Sequence, residues 1–323
     1  MGCSWGAPRS IPSALPASPA TSWLSRLKAP RGLAPATKVS SPQRRLPWGE
    51  RTHVMGVLNL TPDSFSDGGR LTGPAVAVAV ARSMARQGAA VLDLGGQSTR
   101  PGASEVEANE EIRRVLPSLR AIRSALAAEE FPGFPHPPLL SIDTYQAAVA
   151  EAALEAGADW INDVSGGRRD PALLPLVAAV GCPYVLMHNR GTSVTMDSLA
   201  DYGDVVAEVR AELLQATERA VAAGVALEQL IWDPGLGFAK TTAQNLALLD
   251  GLAELRAEGF PLLVGPSRKR FIGTVLAEPR PRARLWGTAA VVCKAVAAGA
   301  DLVRVHDVGP IVQTCRMADA LWR

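Results

Sequence analysis

The chain has 323 residues, of which 47% are hydrophobic and 20% are charged, a composition that excludes a disordered chain. The longest nearly uninterrupted apolar stretch, residues 173–187, contains two prolines and a glycine and is shorter than the roughly 20 residues of a membrane helix, so we predict no membrane span. The four cysteines include no CxxC pair, which argues against a disulfide framework or a cysteine zinc site.

The N-terminal segment differs in charge from the rest of the chain. Residues 1–48 contain seven basic and no acidic residues, whereas residues 49–323 hold 26 basic and 31 acidic residues, a formal charge of −5. We therefore expect no nucleic-acid partner, and we divide the chain into a disordered basic leader, 1–48, and one folded domain, 49–323. The leader resembles a transit peptide in composition. The preferred interpretation is a non-functional extension or sequence translated from too early a start, which predicts a cytoplasmic location, with an organelle stroma or matrix as the alternative.

From residue 52 onward, short β-rich runs alternate with helical patterns, an order typical of parallel α/β proteins. The runs lie at 52–58, 89–94, 138–142, 160–163, 183–187, 230–232, 261–265 and 301–305. Eight such units in about 270 residues predict a single (β/α)8 TIM barrel. A doubly wound open sheet shares the local pattern and is the alternative.

The helical patterns support this architecture. Apolar residues at helical spacing between 202 and 220 predict a helix that buries one face: Tyr202, Val206, Val209, Leu213, Ala216 and Ala220. A glycine precedes six of the runs, where a helix would need a left-handed C-terminal residue: Gly88, Gly157, Gly181, Gly224, Gly259 and Gly299.

Polar residues follow all eight runs. They are Asn59, residues 97–100, Asp143, Asn162 with Asp163, His188, Asp233, residues 267–269 and residues 304–307. Because a TIM barrel carries its function at the C-terminal ends of its strands, these positions are the candidate site. Any one of them taken alone is as well explained as a helix cap.

Two of these stretches resemble family signatures. MGVLNLTPDSFSDGG at 55–69 and DLGGQSTRPG at 93–102 resemble the two signatures of the dihydropteroate synthases, which are pterin-binding enzymes. The similarity continues through SIDT at 141–144, INDVSGG at 161–167, MH at 187–188, DPG at 233–235, GPSRK at 265–269 and RVHD at 304–307. It covers about residues 52–323, in family order.

The resemblance implies a transferase of folate biosynthesis. Its members join 6-hydroxymethyl-7,8-dihydropterin pyrophosphate to p-aminobenzoate, giving 7,8-dihydropteroate and pyrophosphate. It also implies bound Mg²⁺, a homodimer and a sulfonamide target. The implied mechanism is displacement at the pterin methylene carbon, with electrostatic stabilisation of a cation and no covalent enzyme intermediate.

A pterin ring has an edge of alternating donors and acceptors, which a buried pocket matches with carboxylate and amide groups. The resemblance implies that the pterin is bound by Asp143, Asn162, Asp233, Lys269 and Met187. Asp143 and Lys269 are also the implied catalytic residues. Asp163 is interpreted instead as a cap or structural residue.

The pyrophosphate leaving group requires positive charge. Arg304 and His306 alternate along the last run, so their side chains project the same way. The resemblance implies that Arg304, His306 and Thr99 bind the phosphates, and that Asn59 is a ligand of Mg²⁺.

Two polar stretches, 61–69 and 98–102, are rich in the residues of mobile loops. The resemblance implies that they close over the substrates, with Asp63 and Asp67 completing the catalytic site. It likewise implies that Pro101, Ser267 and Phe238 contact p-aminobenzoate.

The chain departs from the family pattern at four places. Ala239 stands where many relatives have glycine, Leu236 where an aromatic residue is common, and Gln97 where a glutamate is frequent, while Asn189 occupies a variable position. These changes bear on loop mobility and drug sensitivity more than on the reaction.

Two other functions remain open at this stage. A methyltransferase that passes a methyl group from methyltetrahydrofolate to a corrinoid would share the barrel and the aspartates, but would not need the lid at 98–102 or the Arg304 and His306 pair. A non-catalytic binding barrel would have lost polar residues at strand ends, and none is missing. We expect the pterin pyrophosphokinase to be a separate chain, because the leader is too short to fold as one.

Overall fold

Eight parallel strands form a nearly closed barrel in the computed structural model, which describes residues 46–61, 73–98, 102–131 and 136–323. The strands are β1 His53–Asn59, β2 Val91–Gly95, β3 Leu139–Asp143, β4 Trp160–Asp163, β5 Tyr184–Met187, β6 Leu230–Asp233, β7 Leu263–Val264 and β8 Leu302–Val305. Their order in the sheet is β6-β5-β4-β3-β2-β1-β8-β7, and a bridge between Trp232 and Leu262 joins β6 to β7. The predicted TIM barrel is confirmed.

Helices cover the outside of the barrel. They are α1 Pro74–Gln87, α2 Ala108–Ala127, α3 Ala147–Glu155, α4 Leu173–Val180, α5 Val205–Ala222, α6 Thr242–Asp250, α7 Leu252–Arg256, α8 Arg270–Val275, α9 Leu285–Ala297 and α10 Val308–Trp322. All six predicted helix-stop glycines have positive φ, between 74° and 103°. Among the described residues, no helix is long and apolar enough to cross a membrane.

Strand β7 is shorter than predicted. The run 261–265 predicts five strand residues, but only Leu263 and Val264 join the ladder, with a bridge at Leu262. Pro261 has no N–H to donate to a ladder. The N–H of Leu262 donates instead to the Asp301 carboxylate at 3.0 Å. The strand therefore begins only after these two positions.

The predicted apolar face of helix α5 needs correction at its start. Val209, Leu213, Ala216 and Ala220 are buried as predicted, but Tyr202 precedes the helix. Asp204 is the N-cap and accepts from the amides of Val206 and Ala207. The helix therefore begins at Val205, which is buried, and leaves Val206 only partly buried.

The lower half of the barrel interior is apolar. Each strand contributes one inward residue to a buried ring: Met55, Val91, Leu139, Trp160, Val185, Ile231, Leu263 and Leu302. Leu46 and Trp48 pack against this ring, with the Trp48 and Trp160 ring centroids 6.0 Å apart. The N-terminal end of the barrel is thus closed by side chains that precede residue 49. Residues 1–45 lie outside the described part of the chain, so the domain division and the disorder of the leader remain predictions.

Candidate active site

Polar residues stand directly above the apolar ring. Successive side chains of a strand alternate between its two faces, so the residues two positions after the ring also point inward. At this level the strands carry Asp93, Ser141, Asn162, Asp233 and Arg304. The opposite faces of these strands carry leucine, valine, isoleucine and tryptophan that pack under the helices. The alternation alone therefore gathers polar groups at the C-terminal mouth.

Arg304 lies at the centre of this layer. Its Nε donates to Asp93 Oδ2 at 2.6 Å, and its Nη2 donates to Asp143 Oδ2 at 2.7 Å. Asn162 Nδ2 donates to the same Asp93 oxygen at 2.9 Å. One guanidinium thus connects strands β2, β3 and β8, and Asp93 connects it to β4. The structure brings Asp143, Asn162 and Arg304 together at the mouth, and their roles in binding stay predictions.

Burial changes the acidity of the carboxylates at the mouth. Desolvation raises the pKa of Asp143 to about 7, with further contributions from the negative charges of Asp93 and Glu111, while the Arg304 guanidinium opposes the rise. Desolvation also raises the pKa of Asp233 to about 6. Both pKa values thus lie above that of an exposed aspartate, as is common at functional sites.

Asp233 and Lys269 face the mouth from the other side of the barrel. Asp233 Oδ1 accepts from the amide of Gly235 at 2.7 Å. Lys269 Nζ lies 4.2 Å from the centroid of the Phe238 ring, a cation–π distance. Desolvation, with the nearby Arg304 charge, lowers the pKa of Lys269 to about 8, while Asp233 and Asp143 oppose the shift.

Ser267 and His306 form a pair beyond the end of strand β8. Their Oγ and Nδ1 atoms are 2.9 Å apart, and the backbone N–H of His306 donates to Ser267 Oγ at 3.1 Å. The neighbouring Arg268 makes a bidentate ion pair with Asp307, at 2.6 and 2.9 Å. These contacts fix the loop after β7 against the loop after β8.

Asn59 and Met187 also lie at the mouth. Asn59 is the last residue of β1 and is paired in register with Gly95, which is paired with Asp143. Met187 is the last residue of β5, is buried, and is paired with Asp233. Four predicted site residues, Asp63, Asp67, Thr99 and Pro101, lie outside the described part of the chain.

Asn59 has the donor chemistry of a magnesium ligand. Mg²⁺ takes oxygen ligands and usually keeps several waters, so that one or two protein ligands suffice when phosphate supplies the others. Asn59 offers one amide oxygen at the mouth. Within residues 46–61, 73–98, 102–131 and 136–323, no group of three or more His, Cys, Asp and Glu side chains could hold a metal ion.

Asp163 has a structural role, as predicted. It is fully buried, and its carboxylate accepts from the amides of Ser165 and Gly167, each at 2.7 Å, and from the Tyr184 hydroxyl at 2.6 Å. These bonds fix the turn after β4. Asp163 therefore points away from the mouth, while its neighbour Asn162 points into it.

Two of the departures from the family pattern have clear structural settings. Ala239 is fully buried and has a φ of 47°, in the left-handed region that favours glycine. Gln97 donates from Nε2 to the Tyr145 hydroxyl at 2.9 Å. The alanine thus holds a strained backbone conformation in the loop after β6, and the glutamine has a neutral partner just before residues 98–102.

Sequence reasoning missed Asp93 as a site residue. It opens the second family motif, and its carboxylate is fully buried between Arg304 and Asn162. Its Oδ1 atom has no hydrogen-bond partner among the described residues. The signal for it was present in the sequence, because Asp93 stands two residues after Val91 and so on the inward face of an otherwise apolar strand.

The chain matches the model of one protein family. The family is described as pterin-binding enzymes, and the match covers residues 55–306. The dihydropteroate synthase of Synechocystis sp. is 51% identical over 276 residues, which are 85% of this chain and 92% of that protein.

Solved structures agree with this family assignment. A dihydropteroate synthase from Clostridium difficile, determined in the presence of pteroic acid, superposes with a TM-score of 0.78 at 39% identity and covers 86% of this chain and 100% of its own. The Xanthomonas albilineans enzyme with 4-aminobenzoic acid gives a TM-score of 0.76 at 42% identity, over 84% of this chain and 93% of its own. The chain belongs to the pterin-binding enzyme family and, within it, to the dihydropteroate synthases.

Proposed function

We propose that the mouth of the barrel is where this chain carries out the dihydropteroate synthase reaction of tetrahydrofolate biosynthesis. The enzyme is a transferase that condenses 6-hydroxymethyl-7,8-dihydropterin pyrophosphate with p-aminobenzoate. The observation that carries the assignment is the buried network in which Arg304 joins Asp93 and Asp143 while Asn162 joins Asp93. A charge network of this kind at the functional end of a TIM barrel supports a site for a polar, anionic substrate.

The pterin ring is assigned to the side chains at the strand ends. Asp143, Asn162 and Asp233 supply carboxylate and amide groups for the donor and acceptor edge of the ring. Met187 supplies apolar contact. The charge of Lys269 interacts with that of Asp233, and its ammonium lies against the Phe238 ring. An unsatisfied polar edge would cost about 1–3 kcal/mol per group, so this matching provides specificity as well as affinity.

The pyrophosphate is assigned to the side of the mouth formed by β8. Arg304 and His306 lie two residues apart there, and Thr99 is proposed to bind the phosphates with them. Asn59 would hold Mg²⁺ together with phosphate oxygens and water. When bound, the ion neutralises charge on the leaving pyrophosphate.

The p-aminobenzoate is assigned to Ser267, Phe238 and Pro101. Ser267 offers a hydroxyl that is already held by His306, and Phe238 offers an aromatic face. The two lids, 61–69 and 98–102, are proposed to close over both substrates, with Asp63 and Asp67 completing the closed site. Exclusion of water would strengthen every charge interaction inside.

The proposed chemistry needs no nucleophile from the protein. The bond between the pterin methylene carbon and the pyrophosphate oxygen breaks, and both electrons leave with pyrophosphate. The ionised Asp143 stabilises the resulting pterin cation. The amine nitrogen of p-aminobenzoate then bonds to the methylene carbon and loses one proton. Lys269 orients the ring through its charge, and Arg304 stabilises the departing phosphate.

The first experiment measures pyrophosphate release by the full-length chain given the pterin pyrophosphate and magnesium, with and without p-aminobenzoate. Release that depends on p-aminobenzoate, with dihydropteroate formed in equal amount, supports the proposal. A folded protein that binds the pterin but forms no product would overturn it.

We also propose that the chain is a homodimer. The family resemblance implies it, and an exposed apolar group at the C-terminal end of α8 and on α9 supports it. Trp286 is 78% exposed, Val275 is 59% exposed and Leu276 is 50% exposed. Sedimentation of the full-length chain should give twice the monomer mass, and Trp286→Glu should shift it toward monomer. A monomeric wild type would contradict the proposal.

The proposed location is the cytoplasm, with an organelle stroma or matrix as the alternative if residues 1–48 are a transit peptide. The basic composition of that segment, which has no acidic residue, is the observation that favours the alternative. Imaging of the full-length chain carrying a C-terminal fluorescent tag distinguishes the two.

A further inference from the structure

Lys240 is a buried lysine that has no part in the proposed chemistry. Its side chain is 4% exposed, and its ammonium donates to three acceptors. They are His188 Nδ1 at 2.9 Å, the Gly235 carbonyl at 3.1 Å and the Phe238 carbonyl at 3.0 Å. Desolvation lowers the pKa of Lys240 to about 7, and below that pH its ammonium has three N–H donors, all of which this site satisfies. Such complete satisfaction is what makes a buried cation tolerable.

The contact with His188 attaches the turn to the end of strand β5. Lys240 donates to Nδ1, so the ring hydrogen lies on Nε2, which donates to Glu212 Oε2 at 3.0 Å. Desolvation, together with the Lys240 charge, lowers the pKa of His188 to about 4, which keeps the ring neutral and able to accept. Glu212 in turn accepts from Arg190 Nε at 2.9 Å. The lysine is thus anchored on helix α5 through a neutral histidine.

The other two contacts hold the turn that follows β6. The carbonyls of Gly235 and Phe238 both point at the ammonium, and the amide of Phe238 also donates to the Gly235 carbonyl at 3.1 Å. The turn is pressed against β5, because a Cβ on Gly235 would lie 1.9 Å from the His188 carbonyl oxygen. Without the ammonium, the Phe238 carbonyl would lose its Lys240 donor in a buried space, and the Gly235 carbonyl would keep only the Phe238 amide.

This turn carries groups of the proposed site. The amide of Gly235 donates to Asp233, and the Phe238 ring lies against Lys269 Nζ. A Cβ on Gly237 would lie 3.1 Å from Lys269 Cδ, so the backbone of the turn also runs along the lysine stem. A shift of the turn would therefore move Phe238 and Lys269 together.

We propose that Lys240 is a positioning residue of the dihydropteroate synthase site, whose buried ammonium holds the Gly235 to Phe238 turn so that Phe238 is set against Lys269 and p-aminobenzoate. The inference rests on the proposed function for its catalytic readout. Lys240 touches neither substrate in this scheme and acts through Phe238. A purely structural role would instead lower stability without a specific effect on p-aminobenzoate.

A double-mutant cycle separates these two roles. The variants are Lys240→Met, which keeps the length of the side chain and removes its donors, Phe238→Ala, and the double variant. The matched control is Lys294→Met on α9, where the lysine is 48% exposed and pairs with Asp250. We measure kcat and KM for each substrate with the full-length chain, and the melting temperature of each variant.

We expect Lys240→Met to lower kcat/KM for p-aminobenzoate alone, and we expect its effect not to add to that of Phe238→Ala. Lys240→Met should lower kcat/KM for p-aminobenzoate by about tenfold to a hundredfold, the scale of a small misplacement in a site. Added to Phe238→Ala, it should lower that value by less than about twofold further. Losses that multiply in the double variant, or an equal rise in KM for both substrates, would overturn the proposal. If Lys240→Met does not fold, Lys240→Gln keeps two N–H donors and enters the same cycle.

Hydrogen exchange tests the turn without any turnover. The amides of Gly235, Gly237 and Phe238 donate to Asp233, Asn245 and Gly235 respectively, so they should be protected in the wild type. Their exchange rates should rise in Lys240→Met and stay at the wild-type level in Lys294→Met. Unchanged exchange in Lys240→Met would overturn the inference. An inactive wild type whose turn still exchanges faster in Lys240→Met would overturn the proposed function, but would still support the role of Lys240 in holding the turn.

Discussion

Arg304 and Asp143, which are 161 residues apart in the chain, form a 2.7 Å ion pair across the mouth of the barrel. The same guanidinium holds Asp93 at 2.6 Å, so one cation lies between two carboxylates. Strands β8 and β3 are separated by β1 and β2 in the sheet, and the contact is possible only because the sheet curves into a barrel. A phosphate arriving at Arg304 would therefore compete with Asp143 for the guanidinium.

Asp143→Asn should abolish most turnover while leaving the fold intact. The amide has the shape of the carboxylate but cannot stabilise a cation, and loss of one such electrostatic group costs about a hundredfold or more in kcat. Steady-state kinetics and the melting temperature check this. Near-normal kcat in the folded variant would count against the proposed mechanism.

Asp93→Asn should lower kcat/KM for the pterin pyrophosphate and leave kcat/KM for p-aminobenzoate unchanged. Removal of the negative charge leaves Arg304 less firmly held and changes the acceptor that faces Asn162. We expect kcat/KM for the pterin substrate to fall by about tenfold or more. Asp250→Asn, at a carboxylate with a side chain 79% exposed, is the matched control. A fall of the same size for p-aminobenzoate would instead show a general loss of the site.

The pH profile of kcat/KM should be bell-shaped with limbs near pH 7 and pH 8. Desolvation raises the pKa of Asp143 to about 7, so activity should rise with pH as the carboxylate ionises. Desolvation lowers the pKa of Lys269 to about 8, so activity should fall above it as the ammonium loses its proton. Lys269→Arg should move the alkaline limb upward, because a guanidinium stays protonated. An alkaline limb that does not move in this variant would exclude Lys269 as its source.

Tyr184→Phe should destabilise the protein without changing the reaction. The hydroxyl donates to the buried carboxylate of Asp163 at 2.6 Å, and its loss should cost about 1–3 kcal/mol in the free energy of unfolding. Denaturant unfolding measures the cost, and kcat and both KM values should stay at the wild-type level. A large fall in kcat with little change in stability would place Asp163 in the chemistry instead.

Much of the fold could be predicted from the chain itself. The alternation of runs and helical patterns predicted eight strands in the correct order, and six glycines marked the helix ends where they were expected. These signals are local, since each depends on residues a few positions apart. The prediction was wrong where a residue contacts a distant part of the chain, as at Leu262, whose amide donates to the Asp301 carboxylate instead of to a strand.

The site divides in the same way. The family motifs and the inward periodicity determined by themselves that Asp143, Asn162, Asp233, Lys269 and Arg304 stand at strand ends around one mouth. Only the tertiary structure decided which of these groups form ion pairs, because Arg304 pairs with carboxylates 161 and 211 residues away. The same holds for Lys240, whose acceptor on His188 lies 52 residues earlier in the chain. Strand position follows from nearest-neighbour chemistry, whereas the pairing of buried charges depends on how the closed barrel places distant strands and loops, which no local pattern records.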